Sequence, residues 1–282
     1  MTNPKKPKVS IGMPVYNGEK FIRDALNSLV MQTYTDFELI ISDNASTDNT
    51  ESICYEFAAL DTRIRYVRQS VNIGAFANFM FVLEEAIGDY FVWNAADDFR
   101  SIDCLEYYLS TIGEAGGVFS TYASINRFDN SLITVTVPIL SINQKRRDSL
   151  KNFFVKNRPS LYYGLYRRSV LLECLPRESF DWSDSYTVLQ IIGKYGINCN
   201  ISNPKYFAGY YESYVPKPNN GQYIQCKKYF MSTLGLALSA GPIAFVYHLN
   251  TLLISAKINI GLFKKSIIKK LAKINSNNDD KK

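Results

Sequence analysis

Short apolar runs alternate with amphipathic stretches through the first 121 residues. Residues 8–13 (KVSIGM) read as a short buried strand, and 14–18 as a loop. Phe21, Ile22, Ala25, Leu26, Leu29 and Val30 then recur at helical spacing. Residues 37–42 (FELIIS) form a second strand candidate, followed by a polar turn over 43–47. Asp48, with Glu51 three residues on, reads as a capping pair that opens a second helix. A third strand is expected over 64–67, a helix over 75–87 and a fourth strand over 90–93, with Asp97 and Asp98 close behind.

This strand–helix alternation with short connections predicts an α/β fold with a doubly wound, mainly parallel, Rossmann-like sheet. Such sheets bind ligands beyond the carboxyl ends of their strands. Residues 14–17, 43–46, 68–74 and 94–98 fall there, and they are polar. Past residue 122 the pattern weakens. Residues 122–180 read as mixed strands and short helices, 181–193 as a helix, and 204–222 as an aromatic loop.

The C-terminal region differs in kind. Residues 230–256 carry no Asp, Glu, Lys or Arg, a length that would allow a membrane span. Gly235, Gly241, Pro242, His248 and Asn250 interrupt it, and Gly-Pro breaks a helix near its middle. Two helices are expected, packed on the body or lying at a membrane surface. The expected organisation is one domain over 1–222 (halves 8–121 and 122–222), a helical extension over 223–274, and a disordered tail over 275–282.

Composition narrows the class. Of 282 residues, 46% are hydrophobic and 21% charged, which excludes a disordered or collagen-like chain. The net charge is +6, but eight lysines against two aspartates lie from Lys257 onward. The remaining body is neutral, which argues against nucleic acid as a partner. Within residues 249–273, Leu252, Ile258, Leu262, Phe263 and Ile267 interleave with Lys257, Lys264, Lys265 and Lys269. That pattern suits a basic amphipathic helix at an anionic membrane, or a terminal helix docked on the body. The five cysteines are odd in number and contain no CxxC, which suggests a reducing compartment rather than a disulfide framework or zinc site. The N-terminus, MTNPKKPK, carries no signal-peptide pattern, so a cytoplasmic chain is expected.

GxGxxG and GxxxxGK[ST] are missing, and the single histidine, His248, lies in an apolar run. Dinucleotide-binding, P-loop and Ser-His-Asp readings lose their support. Carboxylates remain. Asp97 and Asp98 end a buried strand, where paired negative charge calls for an offsetting cation or serves as a helix cap and solvated acid. Mg²⁺ or Mn²⁺ binds through one or two carboxylates plus phosphates. Asp43 can receive nucleoside hydrogen bonds or close an Asx-turn.

The segment KVSIGMPVYNGEKFIRDALNSLVMQTYTDFELIISDNASTDNT, then NIGAFANF, then GDYFVWNAADD, resembles a family 2 glycosyltransferase of GT-A fold, of the bacterial surface-polysaccharide type. The resemblance is strong over 8–125 and extends weakly to about 215. It implies a nucleotide-sugar donor, most simply a UDP-sugar, with Pro14, Val15 and Tyr16 lining the base pocket and Asp43 on the uracil or ribose. Arg68, Asn72 and Gly74 would lie near the nucleotide. Asp97 and Asp98 match the end of the family's DxD-type motif, one facing ribose and one facing Mn²⁺ or Mg²⁺. Ala95 stands where the first aspartate usually is, so metal ligation rests on that pair. The resemblance also implies inversion at the sugar, with a carboxylate base before a later helix. Asp184 and Asp181 are the candidates, and either can equally cap that helix. The acceptor would be a glycan or lipid-linked hydroxyl, met at the inner face of the cytoplasmic membrane.

Overall fold

A computed structural model describes residues 6–126, 131–135, 137, 140–156, 159–176, 178, 183–200, 203–210, 233–241 and 244–245. Its first half runs β1 (Val9–Val15), α1 (Ile22–Val30), β2 (Phe37–Asp43), α2 (Thr50–Leu60), β3 (Ile64–Arg68), α3 (Ala75–Glu84) and β4 (Tyr90–Trp93). β1 is buried along its whole length and lies between β2 and β4, parallel to both. Helices cover both faces of such a strand, so its sequence is a continuous apolar run rather than an alternation. Gly12 is required at its centre. A Cβ there would lie 2.5 Å from the Phe91 ring and 2.7 Å from Val82. α1 buries Ile22, Ala25, Leu26 and Leu29 on one face. Each of its Ile and Leu side chains contributes roughly 1.5–3 kcal/mol by leaving water.

The second half adds β5 (Phe99–Arg100), α4 (Cys104–Thr111), β6 (Gly117–Ser120), β7 (Tyr122–Asn126), β8 (Leu132–Val135) and α5 (Arg146–Lys156). A 3-10 turn (Pro159–Tyr163) leads to β9 (Leu165–Arg167), α6 (Arg168–Cys174), α7 (Ser183–Lys194), β10 (Ile197–Asn200) and β11 (Tyr206–Tyr210). The main sheet has seven strands in the order β10-β6-β9-β4-β1-β2-β3. Among the described strands of this sheet, only β9 runs antiparallel to its neighbours. A second sheet, β5-β11-β7-β8, carries the chain just beyond Asp98. The mainly parallel, doubly wound architecture expected from the sequence is present.

Three local expectations need correction. Residues 206–210 form a strand, not a loop, because β11 pairs with both β5 and β7. Asp48 and Glu51 do not make a capping pair. Asn49 is the N-cap of α2, the Asp48 carboxylate receives the Thr50 N–H (3.0 Å), and Glu51 turns to Arg68 (3.3 Å). α3 ends at Glu84 rather than at 87. Residues 233–239 are helical, and the helix stops before Gly241, whose φ is +98°. The division at 222, the lysine-rich segment 249–273 and the tail lie outside the described residues. Among the described residues, no helix is long and apolar enough to cross a membrane.

Candidate active site

The loops after β1 and β2 are tied to each other. The Asn17 N–H donates to Ser46 Oγ (2.9 Å), the Gly18 N–H to Thr50 Oγ1 (2.8 Å) and the Glu19 N–H to Asp48 Oδ2 (3.1 Å). In return, the Thr47 N–H donates to Asn17 Oδ1 (2.8 Å). Asn17 and Ala45 hold positive φ (51° and 61°), so this geometry is imposed by the bonds rather than by preference. Burial works to raise the Asp48 carboxyl, but the Thr50 hydroxyl and the Glu19 and Thr50 N–H groups outweigh it and hold the carboxyl below its ordinary range.

Asp43 closes β2 with its side chain fully buried. Oδ1 accepts the Ser46 N–H (2.8 Å), the Asx-turn bond weighed as the structural alternative. Oδ2 accepts the Tyr66 hydroxyl (2.8 Å) and Arg68 Nη1 (3.0 Å). Arg68 also donates to Ser46 O (2.8 Å), so it braces the turn. Asn44 and Asn72 are joined side chain to side chain (3.0 Å), and the Gly74 N–H donates to Asn72 Oδ1 (2.9 Å). Gly74 has φ +85° and open space where a Cβ would be, so its backbone conformation is what calls for glycine.

Beyond these loops lie three adjoining cavities. The first, about 160 Å³, is lined by Pro14, Val15, Tyr16, Asn44, Asn72 and Asn78, among others. The second, about 310 Å³, shares Pro14, Val15 and Tyr16 with it and reaches Ala95 and Asp97. The third, about 270 Å³, shares Ala95 and Asp97 with the second and adds Tyr163, Asp184, Tyr206 and Gly209. Residues from sequence positions 14 to 209 thus line one trough across the carboxyl ends of β1 and β4.

The two acids after β4 are not equivalent. Asp98 is 5% exposed, and both its oxygens are engaged. Oδ2 receives the Tyr206 hydroxyl and Oδ1 receives the Gly209 N–H (2.8 Å), so Asp98 binds the β4 loop to β11. Burial and then the neighbouring Asp97 push its carboxyl up to about 7. Asp97 is the acid that lines both the second and third cavities. Asp184 stands in the first turn of α7 and accepts the Ser185 N–H at 2.7 Å. Burial raises its carboxyl above the ordinary range. Asp181 lies outside the described residues.

Sequence reasoning missed three residues. Arg100 is 3% exposed and donates to Trp93 O (2.7 Å), Tyr163 O (3.0 Å) and Asn94 Oδ1 (2.9 Å). Its guanidinium lies 5.2 Å from the Tyr206 ring centre. Tyr206 itself stacks on Tyr163 (5.3 Å, 17°). Arg100 left one signal, a cation two positions past an acidic pair; Tyr206 lies in the aromatic stretch expected as a loop, and Tyr163 left no signal in a chain with 20 tyrosines. Among the described residues, no group of three His, Cys, Asp or Glu side chains could hold a metal by themselves.

Comparison with known proteins bears on this arrangement. The family model for glycosyl transferase family 2 matches residues 10–175, more than half of the chain. TuaG of Bacillus subtilis, named as a teichuronic acid biosynthesis glycosyltransferase, is 37% identical over 120 residues, which cover 43% of this chain and 47% of TuaG. The chain spans less than half the length of TuaG and of several other curated relatives that it matches. Among solved structures, TarS 1–349 of S. aureus in complex with UDP-GlcNAc superposes with a TM-score of 0.66 at 18% identity, over 87% of this chain and 72% of that one. The mannosyltransferase PcManGT of Pyrobaculum calidifontis, in complex with GDP-Man and Mn²⁺, gives 0.52 at 18% identity, over 95% and 80%. At those identities the likeness is one of fold, the GT-A arrangement.

Proposed function

The chain belongs to glycosyl transferase family 2, and on that premise we propose that it moves a hexosyl or N-acetylhexosaminyl group from a UDP-sugar to a hydroxyl of a glycan or lipid-linked acceptor. The transfer inverts the anomeric carbon and serves cell-surface polysaccharide synthesis. One observation carries the reading: a single trough runs from Tyr16 and Asn72 past Asp97 to Asp184. The UDP-GlcNAc named for TarS and the teichuronic acid pathway named for TuaG point the same way.

Pro14, Val15 and Tyr16 line the end of the trough suited to the nucleobase, beside Asn72. Asp43, Arg68 and Gly74 act one step back, by fixing the loops that carry those residues. Asp97 is the carboxylate for a divalent ion, and Asp98 locates it by tying the loop to β11. One protein carboxylate completed by substrate phosphates is an ordinary way to hold Mg²⁺ or Mn²⁺. The ion, when bound, offsets charge on the departing diphosphate.

We take Asp184, which lines the third cavity, as the base. Its carboxylate takes the proton of the acceptor hydroxyl as that oxygen attacks the anomeric carbon. The bond from that carbon to the diphosphate breaks in the same displacement. A carboxyl raised by burial is the stronger proton acceptor once ionised. The test is Asp184→Asn, expected to abolish transfer while UDP binding stays at the wild-type level; an active Asp184→Asn enzyme removes the assignment.

The basic amphipathic segment 249–273 supports a place in the cytoplasm at the inner face of the membrane. Flotation with anionic liposomes should be lost in a chain ending at Ser255, and equal flotation of the two forms removes this part.

A further inference from the structure

Among the described residues, the cavity shared by Asp97 and Asp184 holds one hydroxyl with no hydrogen-bond partner. Of its polar side chains, Asp98 and Tyr206 are bonded to each other. Asp97 and Asp184, when ionised, only accept hydrogen bonds. Tyr163 is the remaining polar group, and its hydroxyl donates to no other residue among those described. Yet the side chain is held firmly. Its ring stacks on Tyr206 at 5.3 Å and meets Tyr162 edge-on at 5.9 Å (86°). Tyr162 in turn stacks on Trp93 at 4.3 Å. The Tyr163 carbonyl receives Arg100 Nη2 at 3.0 Å. The next residue, Gly164, has no room for a side chain, since a Cβ would lie 2.5 Å from Val118 O. Ring and backbone are therefore fixed, and the hydroxyl is aimed before any ligand arrives. Packing alone would be met by phenylalanine.

We infer that the Tyr163 hydroxyl donates a hydrogen bond to a hydroxyl or ring oxygen of the sugar being transferred, and so helps to select it. The sugar of a donor whose diphosphate lies at Asp97 enters the cavity between Asp97 and Asp184, where the fixed Tyr163 hydroxyl meets it. This inference rests on the nucleotide-sugar reading above. A site that hydrogen-bonds a substrate hydroxyl discriminates against analogues lacking it. Tyr163 would therefore act on the choice of sugar and leave the nucleotide untouched.

The experiment titrates UDP and a panel of UDP-sugars into the full wild-type chain and into Tyr163→Phe, with thermal unfolding of both as a control. The phenylalanine keeps the ring and its stack on Tyr206. Loss of one neutral hydrogen bond should weaken the best UDP-sugar about 3- to 10-fold, with UDP affinity and melting temperature unchanged. Equal UDP-sugar affinities in the two chains overturn the inference, as does a defect confined to the KM for acceptor, which would assign the hydroxyl to the acceptor instead. A wild-type chain that binds neither UDP nor any UDP-sugar overturns the nucleotide-sugar reading itself, and this inference with it. Wild-type binding of UDP with no effect of Tyr163→Phe leaves that reading intact and removes only this one.

Discussion

Replacing Arg100 by methionine keeps most of the aliphatic stem and removes the guanidinium. Three oxygens then lose their donor: Trp93 O at 2.7 Å, Asn94 Oδ1 at 2.9 Å and Tyr163 O at 3.0 Å. Water cannot readily replace it, because Arg100 is 3% exposed and Asn94 is fully buried. Each buried acceptor left unpaired costs about 1–3 kcal/mol. Some of that is returned, because a buried cation no longer has to be kept out of water. Asp98 also loses the positive charge that helps to hold it ionised. Removing one partner of a buried charged network typically costs ~3–5 kcal/mol, and that is the expected loss. Against a total stability of roughly 5–15 kcal/mol, it is a large fraction. Urea unfolding followed by circular dichroism measures it: the midpoint should fall sharply with the slope unchanged. Arg100→Lys keeps the charge but can reach fewer of the three oxygens, so it should lie between the two. An Arg100→Met chain within about 1 kcal/mol of wild type would refute the reasoning, since it would mean that water or a shifted loop satisfies those oxygens.

Other consequences are smaller in scope. Gly12→Ala places a methyl 2.5 Å from Phe91 and 2.7 Å from Val82, and should cost about 1–3 kcal/mol in the same unfolding assay. Asp48 sits below its ordinary pKa in the folded chain, so its ionised form contributes stability above the unfolded-state pKa. That contribution is lost as pH falls through the folded-state pKa, so the gap in melting temperature between wild type and Asp48→Ala should narrow on acidification. Asp61, lowered by its bond to Arg63, should behave in the same direction. Tyr206→Phe frees one oxygen of Asp98 from its partner and should lower transfer through misplacement of Asp97, with nucleotide affinity measuring how far the loop has moved.

The first half of the fold was legible because its strands are buried on both faces and its connections are short. The runs at 8–13, 37–42, 64–67 and 90–93 each mark a strand to within two residues. The polar segments at the strand ends followed from that order, and the resemblance to the family singled out the candidate residues within them. What was not legible depends on partners distant in sequence. Asp98 looked equivalent to Asp97 until Tyr206 and Gly209, 108 and 111 residues away, took up its two oxygens. β11 reads as a loop because Tyr206–Tyr210 (YFAGY) has no apolar–polar alternation, being packed between β5 and β7. Asp43 and Arg68, expected near the nucleotide, are also bonded to each other and brace the turn at Ser46, which the sequence does not record. The signal common to these cases is satisfied hydrogen bonding, which a linear pattern of residue types does not record.

Calorimetric titration of UDP, with Mn²⁺ and with chelator, into the wild-type, Asp97→Ala and Asp184→Asn chains bears on the whole reading at once. The account predicts that the wild-type chain binds UDP with Mn²⁺ and loses most of that affinity to chelator. It predicts the same loss in Asp97→Ala and wild-type binding in Asp184→Asn. A wild-type chain that does not bind UDP, or that binds it equally well without Asp97, would contradict it.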